Sequence, residues 1–175
     1  MSLLLKNVII SMLFLMLTLV QVSFLPHVRV MDTIPNIVFI AFFIIALLER
    51  QNEYYAVVWA LLAGFMLDVF SSFYFGASMI SLLIVYIFLK YMMYFLKEMP
   101  GKYLFVYFIP VFLLCQVLYG SLMYVFINFP HITPHINQSI FAGLVYNLAL
   151  ALIIFYAYKQ CDNFLNRKRQ LTLFQ

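Results

Sequence analysis

The chain has 175 residues, of which 67% are hydrophobic and 9% charged, with a formal net charge of +4. Soluble domains carry about a quarter charged residues, so this chain cannot cover a water-facing surface. That excludes a soluble enzyme, a disordered linker, a nucleic-acid-binding domain and a secreted disulfide scaffold. It leaves an integral membrane protein of one domain, with a mean hydropathy of +1.05.

A membrane-spanning helix needs roughly 20 mainly apolar residues. The sequence predicts six, at about 7–25, 33–48, 54–73, 77–96, 102–128 and 133–158, followed by a basic tail over 159–175. The first run stops at Pro26 and has no small-residue cleavage site after it, so it is expected to remain as a helix. Pro35 is expected in the first turn of the second helix, where its missing N–H costs little. Glu49 and Arg50 end that helix. Pro110 lies inside the fifth helix and predicts a kink. Thr133-Pro134 reads as a cap followed by proline at the first position of the sixth. Short connections predict antiparallel neighbours.

The basic residues orient the bundle. With the N-terminus in the cytoplasm, Lys6, Arg50, Lys97, Lys102, Lys159, Arg167, Lys168 and Arg169 all lie inside. Lys90 snorkels the same way, and Arg29 alone lies outside. This is a strong positive-inside asymmetry, and both termini are expected in the cytoplasm. The tail is expected on anionic lipid. Cys115 and Cys161 fall at different depths, so no disulfide is expected.

Asp68 is the residue least at home in a membrane segment, at a cost of roughly 2.5–3.5 kcal/mol. It continues a ridge of small residues, Ala56, Ala60 and Gly64, spaced by four, and Ser71 and Ser72 extend it. Small residues let a neighbouring backbone come close, so this face is expected to point inward. Two readings of Asp68 stand open. One is a proton or ion site, or a partner contact. The other is a buried helix-to-helix hydrogen bond or a cap for the fourth helix. Arg29 is a plausible counter-charge, and Lys90, roughly 10 Å away in depth, is a poorer candidate. Ser139, Gly143, Asn147 and Ala151 repeat the spacing in the sixth helix, and Gln116 and Gly120 do so in the fifth. Asn7, Ser11, Thr18 and Gln21 line the first. These residues pack a bundle interior or, on a sharper reading, Gln116, Asn147 and Asp68 line a polar cavity.

Tyr54, Tyr55, Trp59, Tyr103, Tyr107, Tyr156 and Tyr158 suit an interfacial aromatic belt. His131 and His135 are separated by Pro134 with no third ligand near, so neither a metal nor another cofactor is expected. No His-Glu-x-x-His, paired intramembrane Asp, Gly-x-Ser-x-Gly or phosphate loop is present, and no enzyme is expected.

The centre of the chain resembles the MreD family, small membrane proteins of the bacterial rod-shape system. Pro35-Asn36 opens the second helix and the basic Arg50 follows it. Gly64 and Asp68 form a Gly-x-x-x-Asp in the third helix, with Ser71 three residues on and Gly76 eight residues on. Asn147 matches an Asn in the family's last helix. The likeness covers about residues 33–90. Many members have Gly-Pro in the turn where this chain has Phe73-Tyr74.

The resemblance implies a non-enzymatic subunit of the cell-elongation complex that binds MreC within the membrane. MreC in turn links MreB filaments to RodA and a penicillin-binding transpeptidase. Oligomeric state is left open, and a homo-oligomer is compatible. The family's six-helix arrangement is also similar to the substrate-binding subunits of energy-coupling-factor vitamin transporters, which is the alternative reading. Those subunits often carry Ala-x-x-x-Ala on helix one, and this helix one has none.

Overall fold

The computed structural model describes residues 3–28, 33–49, 55–71, 74–96, 104–128 and 138–172, with side chains over 7–28, 33–49, 55–71, 74–94, 107–127 and 141–160. Among the described residues six helices follow in chain order: α1 (Leu3–Ser23), α2 (Ile37–Leu48), α3 (Tyr55–Phe70), α4 (Ala77–Leu96), α5 (Leu104–Asn128) and α6 (Gln138–Thr172). A short 3-10 turn, Leu25–His27, closes α1 at Pro26. Four stretches among the described residues are long and apolar enough to cross a membrane: Asn7–His27, Ala77–Tyr94, Tyr107–Ile127 and Phe141–Gln160. α2 and α3 are apolar but have 12 and 16 residues. They rise about 18 and 24 Å, against a hydrocarbon core of about 30 Å.

The second helix starts later than the sequence pattern predicts. Thr33–Asn36 is non-helical, and Asn36 is the N-cap with φ −93° and ψ 82°. Pro35 is therefore not in a first turn; it lies buried ahead of the cap. The reason is chemical. Asn36 Oδ1 accepts the Phe39 N–H at 2.9 Å, a bond that proline cannot provide. α3 ends at Phe70, short of the expected 73. α5 runs unbroken through Pro110. α6 continues to Thr172, so the basic stretch prolongs the last helix instead of leaving it at Tyr158. Lys, Arg, Gln and Leu are good helix formers, which accounts for the extension. Thr133-Pro134 and the two histidines lie outside the described residues.

α2 is the core element. Val38, Phe39, Ile40, Phe42 and Phe43 are all inaccessible or nearly so, and a helix apolar on every side belongs in an interior. It packs against α1, α3, α4 and α6. Its phenylalanines build an aromatic stack across the bundle. Phe43 meets Phe112 of α5 edge-on at 5.0 Å and Phe108 at 5.6 Å, and Phe108 stacks on Phe155 of α6 at 4.4 Å. Trp59 departs from its expected place in the interfacial belt. It is buried and lies 6.4 Å from the Phe14 ring. Tyr55, Tyr156 and Tyr158 are exposed as a belt requires. Val8, Ile9, Met12 and Met16 leave one side of α1 openly apolar, as a lipid-facing helix must be.

Candidate functional site

The first backbone N–H groups of a helix have no partner within it, and in a bilayer no water replaces one. Three helices here have first-turn or cap N–H groups that meet a buried or half-buried side chain from elsewhere in the chain.

At α4 the side chain is Asp68, the last buried residue on the α3 ridge. It is 4% exposed. Oδ2 accepts the Gly76 N–H at 2.8 Å and Oδ1 accepts the Ser78 N–H at 2.9 Å, with Met79 N a longer 3.4 Å from Oδ2. A carboxylate suits the positive end of a helix dipole. The arrangement is the helix cap among the alternatives the sequence left open. Arg29 lies outside the described residues. Lys90 is engaged elsewhere, as described below.

Asp68 reaches α4 because Gly64 lets the helices touch. A Cβ at Gly64 would overlap Met79 Cα and stand 2.6 Å from Met79 N and 3.0 Å from the Ser78 carbonyl carbon. Ala56, Ala60 and Ala63 continue the same buried face. The turn between the helices requires glycine for a different reason. Gly76 has φ +96°, and its carbonyl accepts the Ile80 N–H at 3.0 Å to begin α4. Nothing lies within 4 Å of a Cβ built there. Gly76→Ala is therefore expected to cost only conformational strain, about 1–2 kcal/mol, read as a modest fall in detergent melting temperature. Ser71 closes the end of α3, its hydroxyl donating to the Asp68 carbonyl at 3.2 Å.

At α3 the capping group is Glu49, at the opposite end of the bundle. Oε1 accepts the Ala56 N–H at 2.6 Å, and Oε2 accepts the Tyr86 hydroxyl at 2.9 Å. Lys90 Nζ lies 2.8 Å from Oε2; the Lys90 and Glu49 side chains are 17% and 6% exposed. Lys90 also lies 5.7 Å from the Tyr86 ring centroid. The expected snorkelling of Lys90 gives way to this pair, which holds its ammonium inside the bundle. Removing one member of a buried pair costs about 3–5 kcal/mol. Glu49→Ala is expected to destabilise more than Lys90→Met in thermal unfolding, since it strands an ammonium, an N–H and a hydroxyl together.

At α2 the donors are shared out. Asn36 caps Phe39, Gln21 Oε1 of α1 accepts the Val38 N–H at 3.1 Å, and Asn147 Oδ1 of α6 accepts the Asn36 N–H at 2.9 Å. The Tyr119 side chain of α5 reaches both Ser78 and Asn36, linking this joint to that of Asp68. Ser11 and Thr18 turn back onto their own helix, to the carbonyls of Asn7 and Phe14.

Gln116 does something different. Its Nε2 donates to the Gly143 carbonyl at 3.3 Å, while Oε1 is buried without a partner. It lines a cavity of about 710 Å³ between α5, α6 and the start of α2, together with Asn147, Gly143, Gly120, Asn36 and Thr33. Asp68 does not line it, so the three polar residues grouped by the sequence part company: Gln116 and Asn147 share the cavity and Asp68 serves the α3–α4 joint.

Of the sequence-level candidates, Asn36, Ala60, Gly64, Asp68, Ser71, Gly76 and Asn147 fall at helix joints, and Gln116 and Gly143 at the cavity. Arg50, Ser72 and the Ser139 side chain lie outside the described residues. Sequence reasoning missed Glu49, Gln21 as a cap, and Tyr119. Among the described residues no three His, Cys, Asp or Glu side chains cluster as a metal site.

Fold and site together define an all-helical bundle with four described helices of membrane-crossing length and side-chain-capped helix starts. No protein-family model, curated protein or solved structure matches the chain.

Proposed function

We propose that this chain is a non-enzymatic membrane scaffold of the MreD kind, crossing the bacterial inner membrane six times with both termini in the cytoplasm. On this reading it binds MreC through transmembrane contacts, and through MreC serves MreB, RodA and a penicillin-binding transpeptidase during cell elongation. One observation supports it most. The residues that carry the resemblance, Asn36, Gly64, Asp68, Gly76 and Asn147, are engaged in holding helices to one another. A bundle in which Asn36, Asp68 and Asn147 are committed to internal joints suits a platform that presents fixed faces to another helix. The apolar side of α1 is such a face. The short α2 and α3 fit six crossings because their starts are capped by protein, not by water.

The cavity beside Gln116 and Asn147 favours a second reading, a solute-binding subunit of an energy-coupling-factor type transporter. Gentle crosslinking of the tagged protein in its native membrane, followed by mass spectrometry, separates the two. Recovery of MreC is expected. Recovery of a transporter transmembrane subunit with paired ATPases, and no MreC, would overturn the scaffold reading.

A further inference from the structure

We propose that the end of α6 beyond its membrane-crossing stretch docks an acidic protein surface, because helical spacing gathers Phe164, Leu165 and Leu171 into one apolar stripe and sets Arg167 and Arg169 along its two edges. The inference is independent of the scaffold reading, since it holds for any acidic partner on the side where α6 leaves the bilayer.

α6 is one helix from Gln138 to Thr172, and its membrane-crossing stretch ends at Gln160. Sharp kinks arise at Pro, at Gly or Ser, or at π-bulges, and after Gly143 the helix contains none of these. Residues 161–172 therefore continue the line of the crossing helix, for a rise of about 18 Å.

Successive residues of a helix are turned by about 100°. Phe164, Leu165 and Leu171 then fall within an arc of about 120°, with Lys168 among them. Arg167 borders the arc on one side and Arg169 on the other. Asp162, Asn163, Asn166 and Gln170 take the opposite side. A basic helix with one apolar stripe suits either a membrane surface or a partner groove.

The direction of α6 decides between them. The headgroup layer is about 5–8 Å deep on each side of the hydrocarbon core. Arg167 to Arg169 stand about 11–14 Å past Gln160, and Leu171 about 17 Å. A usual tilt of about 20° shortens these heights little. A helix that uses such a stripe on lipid lies in the plane of the interface, and a straight continuation of a crossing helix does not. A second copy of α6 would set Arg167, Lys168 and Arg169 against their own like charges. An acidic groove meets both needs: apolar walls cover the stripe, and carboxylates on its rims pair with the arginines at the edges.

The test places a photocrosslinking amino acid at Phe164 or Leu171, and in separate proteins at Asn163 or Gln170, in the full chain in its native membrane. Mass spectrometry then maps each adduct. Protein adducts are expected from Phe164 and Leu171, on a partner segment rich in Asp and Glu, and not from Asn163 or Gln170. Arg167→Glu with Arg169→Glu should cut these adducts about tenfold or more, the ratio for loss of charge-assisted contacts, with the chain eluting as a folded protein in size exclusion. Arg167→Gln with Arg169→Gln should give a smaller loss. Adducts to lipid, to a second copy of the chain or to a segment without acid would overturn the proposal. So would equal adducts from all four positions, adducts unchanged by charge reversal, or no adduct at all.

Discussion

Gly64→Ala is expected to abolish most of the folded protein, although it adds a single methyl group. The Cβ would overlap the Met79 backbone, and backbone cannot rotate away as a side chain can. α3 and α4 would have to separate, and the separation would lengthen the bonds from Asp68 to Gly76 and Ser78. Overpacking with backbone displacement costs about 1–3 kcal/mol and occasionally more, and an overlap on backbone atoms belongs at the upper end, a large share of the stability of a domain this size. Fluorescence-detected size exclusion and a thermal melt in detergent measure it. A Gly64→Ala protein as abundant and as heat-stable as the unaltered chain would show that the two helices do not touch here. Gly76→Ala is the internal comparison: it is also a glycine in the same joint, but with empty space where the Cβ goes.

Asp68 carries the second large effect, and it separates into two substitutions. Asp68→Leu leaves the Gly76 and Ser78 N–H groups buried without acceptors, and each costs about 1–3 kcal/mol. The apolar side chain recovers part of this by sparing a buried carboxylate, for a net loss of about 2–4 kcal/mol. Asp68→Asn keeps one acceptor oxygen but turns an NH₂ toward the other donor, so its loss should be about half as great. The expected order of melting temperature is Asp, then Asn, then Leu. Equal stability of the Asn and Leu variants would mean that the carboxylate is not a cap, and a titrating or ion-binding role would return.

The inward face of α3 is legible in the amino-acid order itself, because Ala56, Ala60, Gly64 and Asp68 recur at four-residue spacing. What Asp68 does is not legible there. Spacing within one helix says which face is buried, but not what stands across from it, and here that is the start of the next helix. Trp59 is misread because its position near a helix end outweighs its spacing. It lies one turn from Ala56 and Ala63, on the stripe that Leu67 completes. Glu49 escapes notice because a charge beside Arg50 at a helix border looks like an interface residue. Only the fold brings Ala56, Tyr86 and Lys90 around it. The start of α2 shows a local rule misapplied. Proline is tolerated in a first turn, but asparagine is the better cap, and Asn36 takes that position. The cavity has the weakest signal of all. It is made by what Gly120 and Gly143 lack, and a missing side chain in a sequence of small residues looks the same whether a helix or an empty space fills the gap.

A common theme joins these residues. Among the described residues, the carboxylates of Asp68 and Glu49 and the amide side chains of Gln21, Asn36 and Asn147 each meet a helix N-terminus or its cap. In a chain with six Asp plus Glu, committing two of them this way implies that fixing helix starts matters to what the protein does. A platform for another membrane helix has that need, because its faces must hold still.

The measurement that tests this most directly is partner recovery per folded molecule from native membranes carrying Asp68→Asn. If the carboxylate serves the bundle and the proposed scaffold reading holds, less folded protein is present, and MreC recovered per folded molecule stays unchanged. A fully folded Asp68→Asn protein that recovers no MreC would contradict the account, and would move Asp68 from the joint between two helices to the working surface of the protein.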